Sequence, residues 1–299
     1  MKIGVVGVGA VGLCWARELR ESGYGELSLA DPFPSAPAQE WAAANGVAIA
    51  RHAAAPVDRS QIVLICVPGA ALAETVQQLQ GVAPSGAVIV DLTTADPETK
   101  AQAARAAAVV GVRYVDAAIA GAVGLSGART PLLVAGSRYI DVDALFDTVS
   151  ASVQYLPDSH PGDAVRVKLL RSIVTKGIEA LAVEVLPAAR RFGLLEQLFA
   201  AMGDIDRRPF TELLMAMVST HPAQAQRRCV ETLAAADQLE AGGYPATLTE
   251  QISRAFARTA ERVQEIGAPE EATFITTLDW LDHGQHHATT TMDVQEVRA

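Results

Sequence analysis

The sequence predicts a doubly wound α/β domain followed by an all-helical one, and three observations carry that expectation. A short β-branched run opens into a glycine-rich turn and then a helical pattern. Apolar strands and helices alternate regularly through at least residue 115. From residue 163 onward no convincing strand pattern is found, only helical periodicity.

Residues 2–7, KIGVVG, form the first expected strand, leading into Gly7-Val8-Gly9-Ala10-Val11-Gly12. Leu13, Ala16 and Leu19 then repeat at helical spacing. In such a turn the glycines give a tight bend, close backbone approach to a pyrophosphate and close helix-on-strand packing. The helix N-terminus adds free N–H groups for the phosphates. A second strand over residues 27–30 ends in Asp31, about twenty residues on, where a carboxylate accepts hydrogen bonds from adenosine ribose hydroxyls and repels a 2′-phosphate. Gly7, Val8, Gly9, Ala10, Val11, Gly12 and Asp31 are therefore the expected cofactor site of a Rossmann-type domain. Pro32, Phe33 and Pro34 follow with no arginine nearby, so NAD is favoured and NADP is possible.

The alternation continues with a helix near 39–45 and a short strand at 47–49. An uninterrupted apolar strand over 62–67 is of the kind buried on both faces of a parallel sheet. It ends in Pro68-Gly69 at the carboxyl edge, where ligands bind in such sheets. A helix at 71–79, a strand at 87–90 closing on Asp91, a helix at 98–109 and a strand at 113–115 complete the pattern. Val67, Pro68 and Thr93 fall at the edge expected to carry a nicotinamide.

The stretch over 168–194 has apolar pairs four apart: Leu169/Leu170, Ile173/Val174, Leu181/Ala182 and Val185/Leu186. This predicts one helix roughly 40 Å long with a single broad buried stripe. Lys168 and Ser172 share a face off that stripe. The chain has only four lysines among its 24 basic residues, and Lys168 and Lys176 both lie here. Lysine differs from arginine in that burial can lower its pKa enough for proton transfer. Lys176, rotated by about 80° from Lys168, is expected in an interface ion pair with the Glu179 region.

Net charge is −10 and no basic run or Arg/aromatic interleaving occurs, so nucleic acid is not an expected partner. Cys14, Cys66 and Cys229 read as buried free thiols of a reducing compartment. No run approaches a membrane span, and the apolar N-terminus breaks into Arg17, Glu18 and Arg20 instead of forming a signal peptide. A soluble, cytoplasmic protein is expected. His283, His286 and His287 lie in a Gly- and Thr-rich tail without carboxylate or cysteine ligands at fixed spacing, so no metal site is expected.

His160-Pro161-Gly162-Asp163 marks the expected boundary, giving a dinucleotide-binding domain over 1–162 and a helical domain over 163–299, with Asp163 as N-cap. Helices are expected at 194–202, 209–218, 223–240, 247–265 and 269–283, punctuated by glycines. Pro187 should kink the long helix without ending it. Arg227 and Arg228 read mainly as a solvated charged face, with carboxylate binding as the alternative.

Several segments together resemble the β-hydroxyacid dehydrogenases, the group that includes 3-hydroxyisobutyrate and 6-phosphogluconate dehydrogenases. Asp91-Leu92-Thr93-Thr94-Ala95-Asp96-Pro97 is similar to their D-x-S-T-x-x-P segment. Asp116-Ala117-Ala118-Ile119-Ala120-Gly121-Ala122 is similar to their substrate loop, D-A-P-V-S-G-G, and residues 130–136 to a following G-T-L-x-x-M-V-G-G run. In that register Lys168 matches the catalytic lysine, and Glu184 and Gly193 keep the family spacing. The chain departs where the loop serine is Ala120, where a glycine is Arg129, and where K-x-x-N-N becomes Lys168-Leu169-Leu170-Arg171-Ser172. These changes point to a re-cut substrate pocket in a little-characterised branch of the superfamily.

The resemblance implies an NAD(P)-dependent oxidoreductase for a small, anionic hydroxy acid or related alcohol or carbonyl compound, with Lys168 as general acid/base. Thr94, Ala120, Gly121 and Ser172 would hold the substrate, and Arg129 or Arg171 would pair with its carboxylate. A largely apolar helix start and the cationic Arg171 would lower the Lys168 pKa. A homodimer or higher homo-oligomer is expected by analogy. The alternatives are an imine reductase on the same fold and a non-catalytic dinucleotide-sensing protein.

Overall fold

Eight strands form one sheet in the order β3-β2-β1-β4-β5-β6-β7-β8 in the computed structural model, which describes residues 2–54 and 59–285. The strands are β1 (Ile3–Val6), β2 (Leu27–Ala30), β3 (Ile49–Ala50), β4 (Ile62–Ile65), β5 (Val88–Asp91), β6 (Arg113–Ile119), β7 (Leu132–Ala135) and β8 (Val153–Tyr155). All neighbours are parallel except β6 and β7, which pair antiparallel with Asp116 opposite Ala135. Because β1 lies between β2 and β4, the strand order reverses there. That reversal opens a crevice at the carboxyl ends of β1 and β4.

Strand β4 is buried at all four positions, as its unbroken Ile-Val-Leu-Ile run requires. Ile62 and Leu64 face one core layer with α1 (Ala10–Glu21), α2 (Ala36–Ala44) and the helix Ile140–Thr148. Val63 and Ile65 face the other, with α3 (Leu72–Leu79) and α4 (Pro97–Val109). Trp15 of α1 meets Phe146 edge-on across the first layer, ring centroids 6.2 Å apart. Helix α4 begins as its sequence dictates: Asp96 accepts the N–H groups of Glu98 and Thr99, and Pro97 occupies the first turn.

Several expected boundaries move. The third strand lies at Ile49–Ala50, two residues on from 47–49, and β6 continues to Ile119, four residues beyond the expected end. Asp116 to Ile119, expected in a substrate loop, is thus buried strand. The long helix runs from Asp163 to Arg191 and continues through Pro187. Asp163 is its first residue, accepting the His160 N–H at 2.8 Å. The chain divides into two compact units between Ile173 and Val174, inside this helix and not at its start.

The expected buried stripe on that helix is not buried in the chain. Leu170 is 59% exposed and Ile173 70%, and the other six named positions are exposed or half-buried. Only Ala164, Val165, Ala188 and Ala189, toward its two ends, are buried. Periodicity records that a face is apolar, whereas burial needs something against it, and among the described residues little covers the middle of the face. In the first unit, Ala164 and Val165 pack on Leu133, Ala135 and Ala118 of the sheet.

The second unit holds helices Leu195–Ala201, Phe210–Ser219, His221–Ala241, Thr247–Ile266 and Phe274–Gln285, close to the expected spans. Ala188, Ala236, Leu239 and Ala246 form its small core with Tyr244 against them. Glu184 caps the helix Thr247–Ile266, accepting from Leu248 N at 2.8 Å, Thr249 N at 2.9 Å and the Thr249 hydroxyl at 2.7 Å. Among the described residues Lys176 makes no ion pair, so the expected pairing near Glu179 is not formed in the chain. Arg227 pairs with Glu231 at 2.5 Å on an exposed helix face, and Arg228 donates to Met217 and Thr220. The three cysteines are free but half-buried, not fully buried. No described helix is long and apolar enough to cross a membrane.

Candidate active site

The glycine turn sits at the strand reversal. Gly7 has φ +87°, and a Cβ there would stand 2.7 Å from the Cys66 carbonyl oxygen and 2.9 Å from Val67 N. A Cβ on Gly12 would come 1.9 Å from the Gly7 oxygen, so α1 can pack this closely on β1 only without a side chain. Gly9, at the N-cap of α1, has nothing among the described residues within 4 Å of the place a Cβ would take. That open space beside the free first-turn N–H groups of a helix suits a pyrophosphate.

Asp31 closes this side of the crevice. Its Oδ2 accepts the Val8 N–H at 2.7 Å, and its Oδ1 accepts the Phe33 N–H at 2.8 Å. Each oxygen keeps a lone pair for a ribose hydroxyl. Arg51, at the end of β3, donates to the Pro32 carbonyl at 2.6 Å. No arginine stands near Asp31 along the sequence, but β3 pairs beside β2 and brings Arg51 to the Asp31 turn in space.

On the other side, a Cβ on Gly69 would stand 2.5 Å from the Thr94 carbonyl oxygen, so the turn after β4 rests on the turn after β5. Val67 is half-buried and Pro68 exposed. Thr93 is buried, its Oγ1 without a hydrogen-bond partner among the described residues, and Thr94 is exposed. An orphaned buried hydroxyl at this edge, with the open space over Gly9, fits a dinucleotide lying along it. Lys168 Nζ donates to Thr94 Oγ1 at 2.5 Å, across 74 residues of sequence. Burial lowers the Lys168 pKa, the like charge of Lys100 lowers it further, and Asp116 opposes both. The cation acting on Lys168 is therefore Lys100; the sequence had pointed to Arg171.

The remaining expected substrate residues are less gathered. The Ala120 N–H is already donated to Pro131 O at 2.7 Å and is not free for a substrate. Gly121 is exposed, and a Cβ there would touch Thr130 at 2.8 Å. Arg129 is exposed in the 3-10 turn Gly127–Arg129, which packs on Cys14 of α1. Arg171 is exposed and Ser172 half-buried, one turn beyond Lys168. His283 Nδ1 donates to the Asp279 carbonyl oxygen of its own helix, and His286 and His287 lie outside the described residues.

Sequence reasoning missed Lys100 altogether. It is fully buried with Asp91 and Asp116, at 0% exposure each. The available signal was its register on α4, where it falls three and seven residues before the buried Ala103 and Ala107.

Residues 189–263 match a domain of unknown function, DUF1932. The 2-(hydroxymethyl)glutarate dehydrogenase of Eubacterium barkeri is 25% identical over 181 residues. The alignment covers 56% of this chain and 57% of that relative, so the chain matches little more than half the relative's length. A conserved protein of unknown function, described as similar in structure to 3-hydroxyacid dehydrogenases, is 26% identical with a TM-score of 0.58, covering 88% of this chain and 99% of its own. The imine reductase of Streptomyces aurantiacus shares the fold at a TM-score of 0.73 and 17% identity, over 94% of this chain and 99% of its own. Residues 2–156 match the NAD binding domain of 6-phosphogluconate dehydrogenase, and with more than half its length so matched the chain belongs to the family of that NAD-binding domain.

Proposed function

We propose that the protein transfers a hydride between a nicotinamide cofactor and a small hydroxy acid or related alcohol or carbonyl compound, with Lys168 as general acid/base. The Lys168–Thr94 contact carries this reading: it sets an amine of lowered pKa at the edge where Gly7 meets Val67 and Gly69 meets Thr94. Gly7 to Gly12 and Asp31 hold the dinucleotide, with Val67, Pro68 and Thr93 beside its nicotinamide end. A bound nicotinamide supplies the hydride acceptor in oxidation and the donor in reduction.

In oxidation the neutral Lys168 amine takes the proton of the substrate hydroxyl; in reduction the ammonium returns it. Thr94 and Ser172 orient the substrate beside that amine, together with the Ala120 carbonyl and the Gly121 backbone. The exposed guanidinium of Arg129 or Arg171 pairs with a substrate carboxylate. NAD is the preferred dinucleotide because the Asp31 carboxylate repels a 2′-phosphate, and Arg51 is the group that would let NADP compete. The protein works as a homodimer, its exposed apolar helix face supplying the contact area.

Lys168→Ala tests the reading. Turnover should fall at least about a thousandfold, in the range of losing a general acid/base, while NADH binding by fluorescence titration stays at the parental level. A variant turning over at the parental rate would remove Lys168 from the chemistry. The substrate panel pairs hydroxy acids of graded size with cyclic imines. Turnover confined to imines would replace the CH–OH reading, and tight NADH binding with no turnover anywhere would favour a sensor.

A further inference from the structure

A lysine shut away from water is costly unless its charge is paired and hydrogen-bonded. Lys100 of α4 meets that requirement in an unusual way. Its Nζ lies 2.7 Å from Asp116 Oδ1, 3.3 Å from Asp91 Oδ2 and 3.3 Å from the Asp91 carbonyl oxygen. Neither carboxylate serves the ammonium alone. Asp91 Oδ1 accepts the Thr93 N–H at 2.8 Å, which fixes the turn that presents Thr94. Asp116 Oδ2 accepts the Gly162 N–H at 2.9 Å and lies 3.5 Å from Val165 N, one turn before Lys168. Tyr114 closes the group by donating its hydroxyl to Asp91 Oδ2.

The two ends of the Lys168–Thr94 contact thus arrive on separate elements, a strand end and a helix start, each held by one carboxylate. The approach is tight: Gly162 has φ +107°, and a Cβ there would stand 2.5 Å from the Pro97 carbonyl oxygen at the head of α4. We propose that Lys100 is a positioning residue for the acid–base lysine, drawing together the two carboxylates that separately fix the Thr94 turn and the start of the Lys168 helix. The proposal rests on the reading of Lys168 as the proton-transferring group. A purely structural ion pair would support the sheet without touching the proton chemistry.

The same ammonium also acts on Lys168 through space. The charged groups that shift Lys168 come from α4 (Lys100, lowering) and β6 (Asp116, raising), after burial itself. Removing the Lys100 charge therefore raises the Lys168 pKa. Since oxidation needs the neutral amine, the rate rises with pH through that pKa, and the rising limb should move to higher pH.

The test compares Lys100→Met, Lys100→Arg and Lys168→Ala in the full chain, reading kcat, KM, NADH affinity and the pH profile of oxidation. Lys100→Met should lower kcat about tenfold or more and move the rising limb to higher pH, with NADH affinity within about twofold. Lys100→Arg keeps the charge and should return the limb to its parental position. Should Lys100→Met fail to fold, the double variant Lys100→Met/Asp116→Asn removes the Lys100 charge together with that of its nearer carboxylate, while the amide oxygen still accepts from Gly162. Its limb should also move up, because the Lys100 effect exceeds that of Asp116. Parental kcat with an unmoved limb in either folded variant overturns the positioning role and leaves the Lys168 reading standing. Parental turnover in Lys168→Ala overturns both.

Discussion

The hydroxyl of Thr94 is the nearest neighbour of the Lys168 amine, so it should be the most sensitive single atom in the site after the amine itself. Thr94→Val keeps shape and β-branching and removes only that acceptor. One hydrogen bond of about 0.5–1.5 kcal/mol corresponds to roughly a 2- to 13-fold loss in kcat/KM, read from steady-state rates, with NADH affinity unchanged. A loss confined to NADH affinity would mean the hydroxyl serves the cofactor. Asp31 gives a second prediction. Its carboxylate accepts from Val8 N and Phe33 N, so Asp31→Ala loses charge-assisted bonds that organise the turn. NADH affinity should fall about 10- to 100-fold. NADPH affinity should fall less, because the repulsion of a 2′-phosphate disappears while Arg51 remains. Titration of both cofactors against parent and variant reads the change in ratio, and an unchanged ratio would remove Asp31 from cofactor selection.

At the scale of elements, Glu184 shows how a residue of family spacing can have a structural task. Burial pushes its carboxyl up, but the hydrogen bonds from Leu248 and Thr249 outweigh it and hold the pKa below the usual 4.5. Glu184→Ala should cost about 1–2 kcal/mol, as for a lost helix cap. A carboxyl lowered on folding stabilises fully above its unfolded pKa and loses that contribution as pH falls through its folded one. The difference between parent and variant in urea midpoint should therefore be constant near neutral pH and shrink below about pH 4.5. A difference independent of pH would mean that packing, not the cap, is lost. The elements themselves were largely legible: β4 from its unbroken apolar run, α1 from the glycine turn ahead of it, and the five later helices from their periodicity. Strands β7 and β8 and the helix Ile140–Thr148 between them were not read as such, since β7 joins antiparallel to β6 and breaks the alternating rhythm. The Lys168–Thr94 pairing was legible only through the combined motifs. Lys100 was not, because its partners stand 9 and 16 residues away on two different strands and only the sheet brings them together.

At the scale of the whole molecule, the long helix presents a sequence pattern that the chain alone does not satisfy. Leu170 and Ile173 are 59% and 70% exposed although their spacing is that of a buried face. Covering such side chains is worth about 1.5–3 kcal/mol each, so two on each of two copies would contribute a large share of a stable association. If a second copy covers this face, Leu170→Glu/Ile173→Glu should weaken self-association by more than a hundredfold, since every 1.4 kcal/mol is about a tenfold change in Kd. Light scattering across a dilution series would then show a dimeric parent and a monomeric variant at the same micromolar concentration. Because Leu170 and Ile173 flank Arg171 and Ser172 in sequence, the variant also shows whether assembly matters to the site. Lost turnover with NADH affinity retained would tie the substrate side of the site to the second copy, and a parent that is monomeric throughout the dilution would leave the apolar face to another partner.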